Sequence, residues 1–344
     1  DSNGLDDAWE TIYFGSLGND GTADPDKDGS TNQQECDAST NPLDASSRLK
    51  HVGSRITPAS GRIGWTTVLG KKYHIQFGTD LGAWPQVLSY NGGGPVDFFG
   101  NGGTLTLDLS NPASPVLTGG ATREVWLAAG NSGNVNTFKT GTLNWTDANT
   151  PADPATSAAV SGVEYTEGLQ APTNYGDQYG QRLRGFITAP EDGDFTLYIA
   201  GRHQCEFWLS SVADSTDPTN LGLVLRQTNG NIITPEDWTY HATNGIDPDA
   251  QKSAPVTLAA GGRYYFEVIH RHNGQEDHLA VGWTKPSDDP ADIEVVPGKD
   301  VSPIIDLANT NAAALLGLGP KTFARLITFG PDSASALDTD GDGI

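Results

Sequence analysis

The segment "GDFTLYIAGRHQCEFWLSS", residues 193–211, carries the clearest strand pattern in the chain. Apolar and polar side chains alternate along its first half, and the same period of two returns in "RYYFEVIH", residues 263–270. Successive side chains of a β-strand point to opposite faces of a sheet, so this period predicts strands with one buried face. Turn sequences precede both strands, "APEDGD" at 189–194 and "AAGGR" at 259–263. These features predict a mainly β protein.

The longer segments around these strands, residues 171–211 and 251–286, carry a family resemblance. They resemble the protective-antigen-type domain, a lectin-like β-barrel shared by bacterial toxins, glycosidase inserts and yeast flocculins. The resemblance covers roughly residues 138–305, and we assign residues 131–305 to this domain. We expect its large apolar core positions at Trp208, Trp238 and Trp283. Sugar-stacking platforms are the alternative role for these aromatic side chains.

The resemblance implies a calcium-assisted sugar site, but this chain departs from that pattern. Sugar-binding members of the family carry two adjacent aspartates after the "YIA" strand and commonly an asparagine before "LAVGW". Here "YIA" at 198–200 is followed by Gly201 and then by Arg202 and His203, and the residue before "LAVGW" is His278. Calcium requires oxygen ligands, so a cation and an imidazole cannot replace the acid pair. The lectin residues are therefore not carried over.

The histidines around this position offer a second possibility. A transition-metal site is conceivable from the side chains of His203, His270, His272, His278 and Asp277. Structural or surface roles are the favoured interpretation, because no zinc-protease spacing accompanies these residues.

The clearest local motif is "DPDKDGSTNQQE", residues 24–35. Its spacing matches a twelve-residue calcium loop with a glycine at position 6, where the chain must turn sharply. The expected ligands are the carboxylates of Asp24, Asp26 and Asp28, the carbonyl of Ser30, the side chain or a water at Asn32, and the carboxylate of Glu35. Acids clustered this tightly repel one another without a cation. A solvated acidic turn is the alternative interpretation.

Two further segments look like parts of similar loops. If Glu10 closes a loop at position 12, the positions before it fall on Asp1, Asn3, Leu5 and Asp7. In "DTDGDGI", residues 338–344, the first ligands would be Asp338, Asp340, Asp342 and the carbonyl of Ile344. We expect the two fragments to complete calcium coordination between consecutive units, in a tandem array or a filament. Helix capping by Asp1 and Asn3, and a chain cut or disordered at an exposed linker, are the alternatives.

The rest of the chain supplies the domain organisation. Residues 1–48 resemble the thrombospondin type 3 calcium repeat of bacterial surface and secreted proteins, which implies bound Ca²⁺. Residues 49–130, with strands such as "GTLTLDLS" and "TREVWLAA", resemble a fibronectin type III-like β-sandwich. Residues 131–160 read as a linker with one strand at "TGTLNWTD". Residues 306–344 read as helical turns at "NAAALLGLG" and "KTFARLITFG", leading into a truncated calcium repeat.

The expected fold class is therefore mainly β. It comprises several domains, a β-sandwich plus a lectin-like β-barrel, with calcium-loop linkers that contain short helices.

Composition limits the function. The chain has 43 acidic and 20 basic side chains, a net charge of -23, which argues against nucleic acid as a partner. We find no run of about 18 apolar residues, so no membrane span is expected. Cys36 and Cys205 allow one disulfide, and two unpaired thiols are an equal alternative.

No catalytic motif is apparent: there is no G-x-S-x-G elbow, no P-loop and no dinucleotide-binding glycine motif. The sequence predicts a non-catalytic, extracellular protein, secreted or on the bacterial cell surface. Its expected role is structural or adhesive, stabilised by calcium, with self-association or tandem neighbours through the terminal loops. The alternative is a carbohydrate-binding module of a larger secreted enzyme or adhesin, with a glycan as partner. A slice of a much longer surface protein is a third possibility.

Overall fold

A computed structural model describes residues 1–329 except residues 58–59, 70, 81–83, 112, 128–133, 153–156, 229–231, 233, 275, 306 and 318–322. The helices of this described part are α1 (Asp7–Phe14), α2 (Asn32–Ala38), α3 (Val135–Gly141), α4 (Tyr240–Thr243) and α5 (Ala312–Gly317). Short 3-10 turns lie at Pro218–Asn220, Pro248–Ala250 and Gly298–Asp300. None of the helices described is long and apolar enough to cross a membrane.

The strands are numbered along the chain. They are β1 (Arg55–Ile56), β2 (Gly61–Thr66), β3 (Lys72–Gly78), β4 (Gln86–Val87), β5 (Phe98–Phe99), β6 (Thr104–Asp108), β7 (Val116–Thr118), β8 (Thr122–Trp126), β9 (Gly162–Tyr165), β10 (Gly180–Thr188), β11 (Gly193–Gly201), β12 (Gln204–Ser210), β13 (Leu221–Gln227), β14 (Val256–Leu258), β15 (Arg263–Arg271), β16 (Leu279–Thr284), β17 (Glu294–Val295), β18 (Val301–Pro303) and β19 (Phe323–Phe329). The prediction of a mainly β protein is confirmed.

The chain folds into two compact units. The first unit comprises Asp1–Leu117 together with Ile305–Ile344, and the second unit comprises Thr118–Ile304. The four domains expected from the sequence are thus grouped differently. Strand β8, expected in the 49–130 sandwich, instead pairs with β10 and belongs to the second unit.

The first unit contains two sheets. One has the order β1-β2-β6-β7, and the other has the order β19-β3-β4 with β5 also on β3. Strand β3 shows the expected alternation, because Tyr73, Ile75 and Phe77 are buried and the residues between them are only partly buried. Trp65 of β2 and Phe98 of β5 pack edge to face, with 5.5 Å between ring centroids. This aromatic pair joins the two sheets in one apolar core.

The segment after residue 306 differs from the expectation in one respect. A short helix, α5, does lie in "NAAALLGLG". The helical prediction for "KTFARLITFG" is wrong, because Phe323–Phe329 is strand β19 and pairs antiparallel with all of β3. The backbone hydrogen bonds that β3 offers decide this conformation, and a local sequence pattern cannot register a partner that distant in the chain.

The second unit is built from two sheets that face a common core. The larger has the order β13-β12-β15-β10-β8-β9, with β18 beside β10, and the smaller has the order β14-β11-β16-β17. Apolar side chains from both sheets meet between them, including Phe195, Ile199, Phe207, Phe266 and Trp283. Among the described residues these strands do not close into a barrel, so the expected barrel is an open two-sheet arrangement.

The other face of the larger sheet is covered by residues expected to be a linker. Helix α3 begins after Asn134, whose side chain accepts a hydrogen bond from the Asn136 N–H. Phe138 of α3 and the buried Trp145 pack with Trp208 of β12. The strand expected at "TGTLNWTD" is absent from the structure described for those residues.

Two of the three tryptophans expected in the core are buried there. Trp208 and Trp283 are buried, while Trp238 is only partly buried and lies against Gly282 and the ring of Tyr198.

Candidate metal centre

The predicted calcium loop follows α1, and its last four residues, 32–35, form the first turn of α2. Asp6 caps α1 through a hydrogen bond from the Trp9 N–H, and Thr31 and Gln34 form a reciprocal capping box at the start of α2. These caps satisfy backbone donors that a short helix otherwise leaves open. The capping box of α2 therefore fixes the end of the loop that carries Asn32 and Glu35.

The carboxylates of Asp24, Asp26 and Asp28 converge, with ligand oxygens within 4.8 Å of one another. Gly29 adopts a φ of 97°, which favours glycine, and its N–H donates to Asp24 Oδ2 over 3.1 Å. The Ser30 N–H donates to Asp28 Oδ1 over 2.7 Å. These bonds orient the carboxylates and leave one oxygen on each aspartate buried without a hydrogen-bond partner. Asp28 Oδ2 also lies 3.9 Å from Arg48 Nε.

Asn32 and Glu35 add two more buried oxygens. Asn32 donates its amide to the Asp20 carbonyl over 2.8 Å, and its own Oδ1 has no hydrogen-bond partner. Glu35 is 1% exposed, its Oε1 accepts from Thr40 over 3.2 Å, and its Oε2 is unpartnered. Burial, together with the charges of the three aspartates, raises the pKa of Glu35 to about 7. Glu35 is not part of the three-carboxylate group within 4.8 Å.

This donor set fits calcium. Buried polar atoms in proteins are normally hydrogen-bonded, so five unpartnered oxygens in one twelve-residue loop require an explanation. Calcium takes six to eight oxygen ligands, mostly carboxylates, amide oxygens and carbonyls. The side-chain oxygens of Asp24, Asp26, Asp28, Asn32 and Glu35 would hold the ion, and the position of the Ser30 carbonyl matches the loop pattern.

A second acidic group lies on α1. The carboxylates of Asp1, Asp7 and Glu10 lie within 4.8 Å of one another. Glu10 is fully buried, and its Oε2 has no hydrogen-bond partner. The amino group of Asp1 donates to both carboxylate oxygens of Asp7 at 2.7 and 2.9 Å. Three of the expected ligand residues are therefore brought together.

Asn3 and Leu5 occupy different roles in this group. Asn3 turns its amide N–H toward Glu10 Oε1 over 3.1 Å, and its Oδ1 accepts the Leu5 N–H over 2.9 Å. The sequence reasoning missed Asn19, whose backbone N–H and side-chain amide both donate to Glu10 Oε1, at 2.7 and 2.9 Å. Nine residues separate Asn19 from Glu10, so no local motif signals this contact. The predicted ligands Asp338, Asp340, Asp342 and Ile344 lie outside the described residues.

The disulfide expected as one alternative is not formed, because Cys36 and Cys205 are both free thiols. Cys205 is fully buried in the core of the second unit, and burial raises its pKa well above the usual range. Cys36 accepts a hydrogen bond from the Asp6 N–H over 3.2 Å, and burial raises its pKa to about 11. Both thiols are therefore protonated and unreactive at neutral pH.

Arg202 and His203, where the resemblance implied an acid pair, lie in the tight turn between β11 and β12. His203 there has a φ of 70°, and its Nδ1 lies 3.1 Å from His272 Nδ1. His270 contacts Gln181 and the Arg202 carbonyl, while Asp277 accepts the backbone N–H groups of Tyr175 and Gly176. In the described part of the chain, no group of three or more metal-ligating residues includes these histidines.

No family model matches the chain. A mouse N-acetyl-beta-glucosaminyl-glycoprotein 4-beta-N-acetylgalactosaminyltransferase 1 is 34% identical over 106 residues, which is 30% of this chain. This chain spans only 10% of that relative's length.

Several solved structures share parts of the architecture. The Epithelial Adhesin 9 A domain from Candida glabrata, in complex with Galβ1-4GlcNAc, has a TM-score of 0.38 and 11% identity, covering 57% of this chain and 93% of its own. The PA14 domain of the MpAFP antifreeze protein has a TM-score of 0.36 and 9% identity, covering 54% and 90%. An anti-sigma factor domain-containing protein from Clostridium clariflavum has a TM-score of 0.34 and 14% identity, covering 72% and 86%. Resemblance at this level carries no argument about function.

Proposed function

We propose that the protein is a non-catalytic, extracellular structural or adhesion protein of the bacterial surface, stabilised by calcium bound within residues 1–48. The observation that carries the proposal is the set of buried oxygens without a hydrogen-bond partner on Asp24, Asp26, Asp28, Asn32 and Glu35, of which Asp28 Oδ2 has only a 3.9 Å ion pair with Arg48. Their burial is costly unless a cation compensates it, and their chemistry suits a hard divalent ion.

Calcium in this loop would stabilise more than the loop itself. Arg48, which leads into the first sheet, donates through Nη1 to the Asp28 carbonyl over 2.8 Å. The Trp9 indole N–H donates to the Thr40 carbonyl over 3.0 Å and ties α1 to the segment after α2. The ion would therefore order both helices and the start of the first sheet, which is the mechanical role expected of a calcium-stabilised linker.

Self-association is the further part of this proposal. Residues 338–344 match the first half of a calcium loop, and the acidic group of Asp1, Asp7 and Glu10 supplies additional ligands. Consecutive units joined at such loops would form a calcium-dependent filament. Excess EDTA should then shorten assemblies seen by electron microscopy, and assemblies that survive EDTA would contradict a calcium joint.

Isothermal titration of the chelator-treated chain with CaCl₂ tests the calcium site. We expect saturable binding that is lost from the first site in an Asp26→Asn/Asp28→Asn double variant. Asp292→Asn is the matched control, because Asp292 is an exposed acid in the second unit. Absence of calcium binding by the wild-type chain, or unchanged binding by the double variant, would refute the assignment.

A carbohydrate-binding module remains the alternative function. The turn that holds the acid pair in sugar-binding relatives carries Arg202 and His203 here, so a calcium-assisted sugar site at that turn is not supported. A glycan array of the second unit, run with and without calcium, tests this alternative. Calcium-dependent glycan binding by the isolated second unit would favour the alternative.

A further inference from the structure

The first unit contains a cavity of about 460 Å³, within the size range of small-ligand sites. Its walls come from four segments: the residues after α2 (38–40), the chain entering the first sheet (46–50), the residues from the end of β2 onward (66–69) and the approach to β6 (102–104). Tyr13 of α1 also lines it. None of the lining residues is a predicted calcium ligand.

The chemistry of these walls differs from the rest of the molecule. Seven of the seventeen lining residues are Ser or Thr, and two are tyrosines. The charged residues among them are Arg48 and Lys50, and no acidic residue is among the described residues that line the cavity. Arg48 already lies 3.9 Å from Asp28 Oδ2, so the exposed Lys50 is the lining cation on which attraction of an anion rests. The buried Lys71 adds a third cation behind the wall, donating to Ser39 Oγ over 2.9 Å.

We propose that this cavity binds a saccharide that carries a carboxylate or sulfate group. Thr66 and Thr67 already donate hydrogen bonds within the chain but can still accept from a sugar hydroxyl, and Thr104 and the Gly102 backbone supply further donors and acceptors. The Tyr13 ring offers an aromatic surface, and the ammonium group of the exposed Lys50 attracts the anionic group. This inference rests on the proposed adhesive function and gives it a ligand class.

Two contacts connect the cavity to the calcium loop. Thr40, in the wall, donates to Glu35 Oε1 over 3.2 Å, and Arg48 donates to the Asp28 carbonyl over 2.8 Å. Both partners lie in the predicted calcium loop. Calcium would therefore hold these two walls in place, and saccharide binding by the cavity is calcium-dependent.

Titration calorimetry on the full chain in about 2 mM CaCl₂ tests the ligand class. The probes are a sulfated heparin-derived disaccharide, a glucuronate-containing hyaluronan disaccharide and neutral lactose. We expect one-to-one binding of at least one anionic probe, weakened by added salt, and at least about tenfold weaker binding of lactose. The two anionic arms distinguish sulfate from carboxylate. Failure of both anionic probes to bind, or equal binding of lactose, overturns the proposal.

Two variants locate the site. Lys50→Glu should weaken binding of the anionic probe by about tenfold or more, because it places an acid where the ligand's charge must lie. Lys299→Glu is the control, since Lys299 is an exposed lysine of the second unit whose side chain is 75% exposed. Thr104→Trp, at an exposed wall position, should fill the cavity and abolish binding without a core change. Wild-type affinity in both Lys50→Glu and Thr104→Trp overturns the assignment.

A calcium titration of the same samples separates this inference from the proposed function. Calcium binding without saccharide binding overturns the inference and supports the calcium site. Saccharide binding that is unchanged in EDTA overturns the calcium coupling, and loss of binding in EDTA with recovery in CaCl₂ supports it.

Discussion

Replacing Glu35 with Gln should change the stability of the first unit in opposite directions with and without calcium. Glu35 is 1% exposed and faces the charges of Asp24, Asp26 and Asp28. Gln keeps the size of the side chain and an oxygen that can accept from Thr40, but it removes the negative charge. Calcium at the proposed site would lose a ligand in the variant, whereas the calcium-free protein would lose a charge repulsion.

The structure sets the size of both effects. If calcium binds the proposed site, the ion at 100 times its Kd should stabilise the wild type by about 2.7 kcal/mol, which is roughly 5 to 11 °C in Tm for a unit of this size. Glu35→Gln should lose most of that rise. In chelator the pKa of Glu35 is raised from 4.5 to about 7, so its ionisation above pH 7 costs up to about 3 kcal/mol.

The sign of the pH dependence follows from that shift. A carboxyl group whose pKa is raised by folding contributes stability below its unfolded value of 4.5, and this contribution is lost as pH rises through about 7. In EDTA, the wild-type first unit should therefore lose stability between about pH 5 and pH 8, and Glu35→Gln should lose less.

Calorimetric melting at about pH 7.5 in CaCl₂ and in EDTA measures both effects. Glu276→Gln, an exposed glutamate of the second unit, is the matched control and should follow the wild type. The reasoning is refuted if Glu35→Gln keeps the full calcium-dependent rise in Tm, or if it lowers Tm in EDTA as well as in calcium.

Three further predictions concern the second unit. Lys139 Nζ donates to Glu206 Oε2 over 2.6 Å, and both side chains are fully buried. Lys139→Met should therefore lower the free energy of unfolding in urea by about 3 kcal/mol, and Lys139→Met/Glu206→Leu should lower it less. A larger loss in the double variant would contradict the pairing of these two side chains. Gly180→Ala places a Cβ 2.3 Å from the Phe138 ring and should lower the free energy of unfolding by about 1 to 3 kcal/mol, measured by chemical denaturation. Adding Phe138→Leu should restore part of this loss. Burial lowers the pKa of His270 from 6.5 to about 3, so the neutral ring stabilises the fold above pH 6.5 and this stability is lost as the pH falls toward 3. The slope of Tm against pH over this range should be smaller in His270→Gln. An unchanged slope would exclude His270 as the source of the pH dependence.

Strands whose apolar and polar side chains alternate strongly were predictable, even where their partners are distant in the chain. β11 and β15 lie where the alternation of "GDFTLYIA" and "RYYFEVIH" placed them. β19 and α3 were not predicted, since their conformations depend on distant partners. β19 completes a sheet on β3, more than two hundred residues earlier, and α3 covers a sheet face next to Trp208.

The spacing of the predicted calcium loop at residues 24–35 follows from the amino-acid order alone, because its expected ligand positions fall within twelve residues and depend on local backbone turns. The mainly β character follows in the same way, since alternation is a property of neighbouring side chains. Three features emerged only from the folded chain: which ligand oxygens are buried without partners, the support that Asn19 gives Glu10, and the free state of both cysteines. The cavity and the assignment of β8 to the second unit belong to the same group. These features depend on contacts between segments far apart in the chain, and no local pattern encodes which segments will meet.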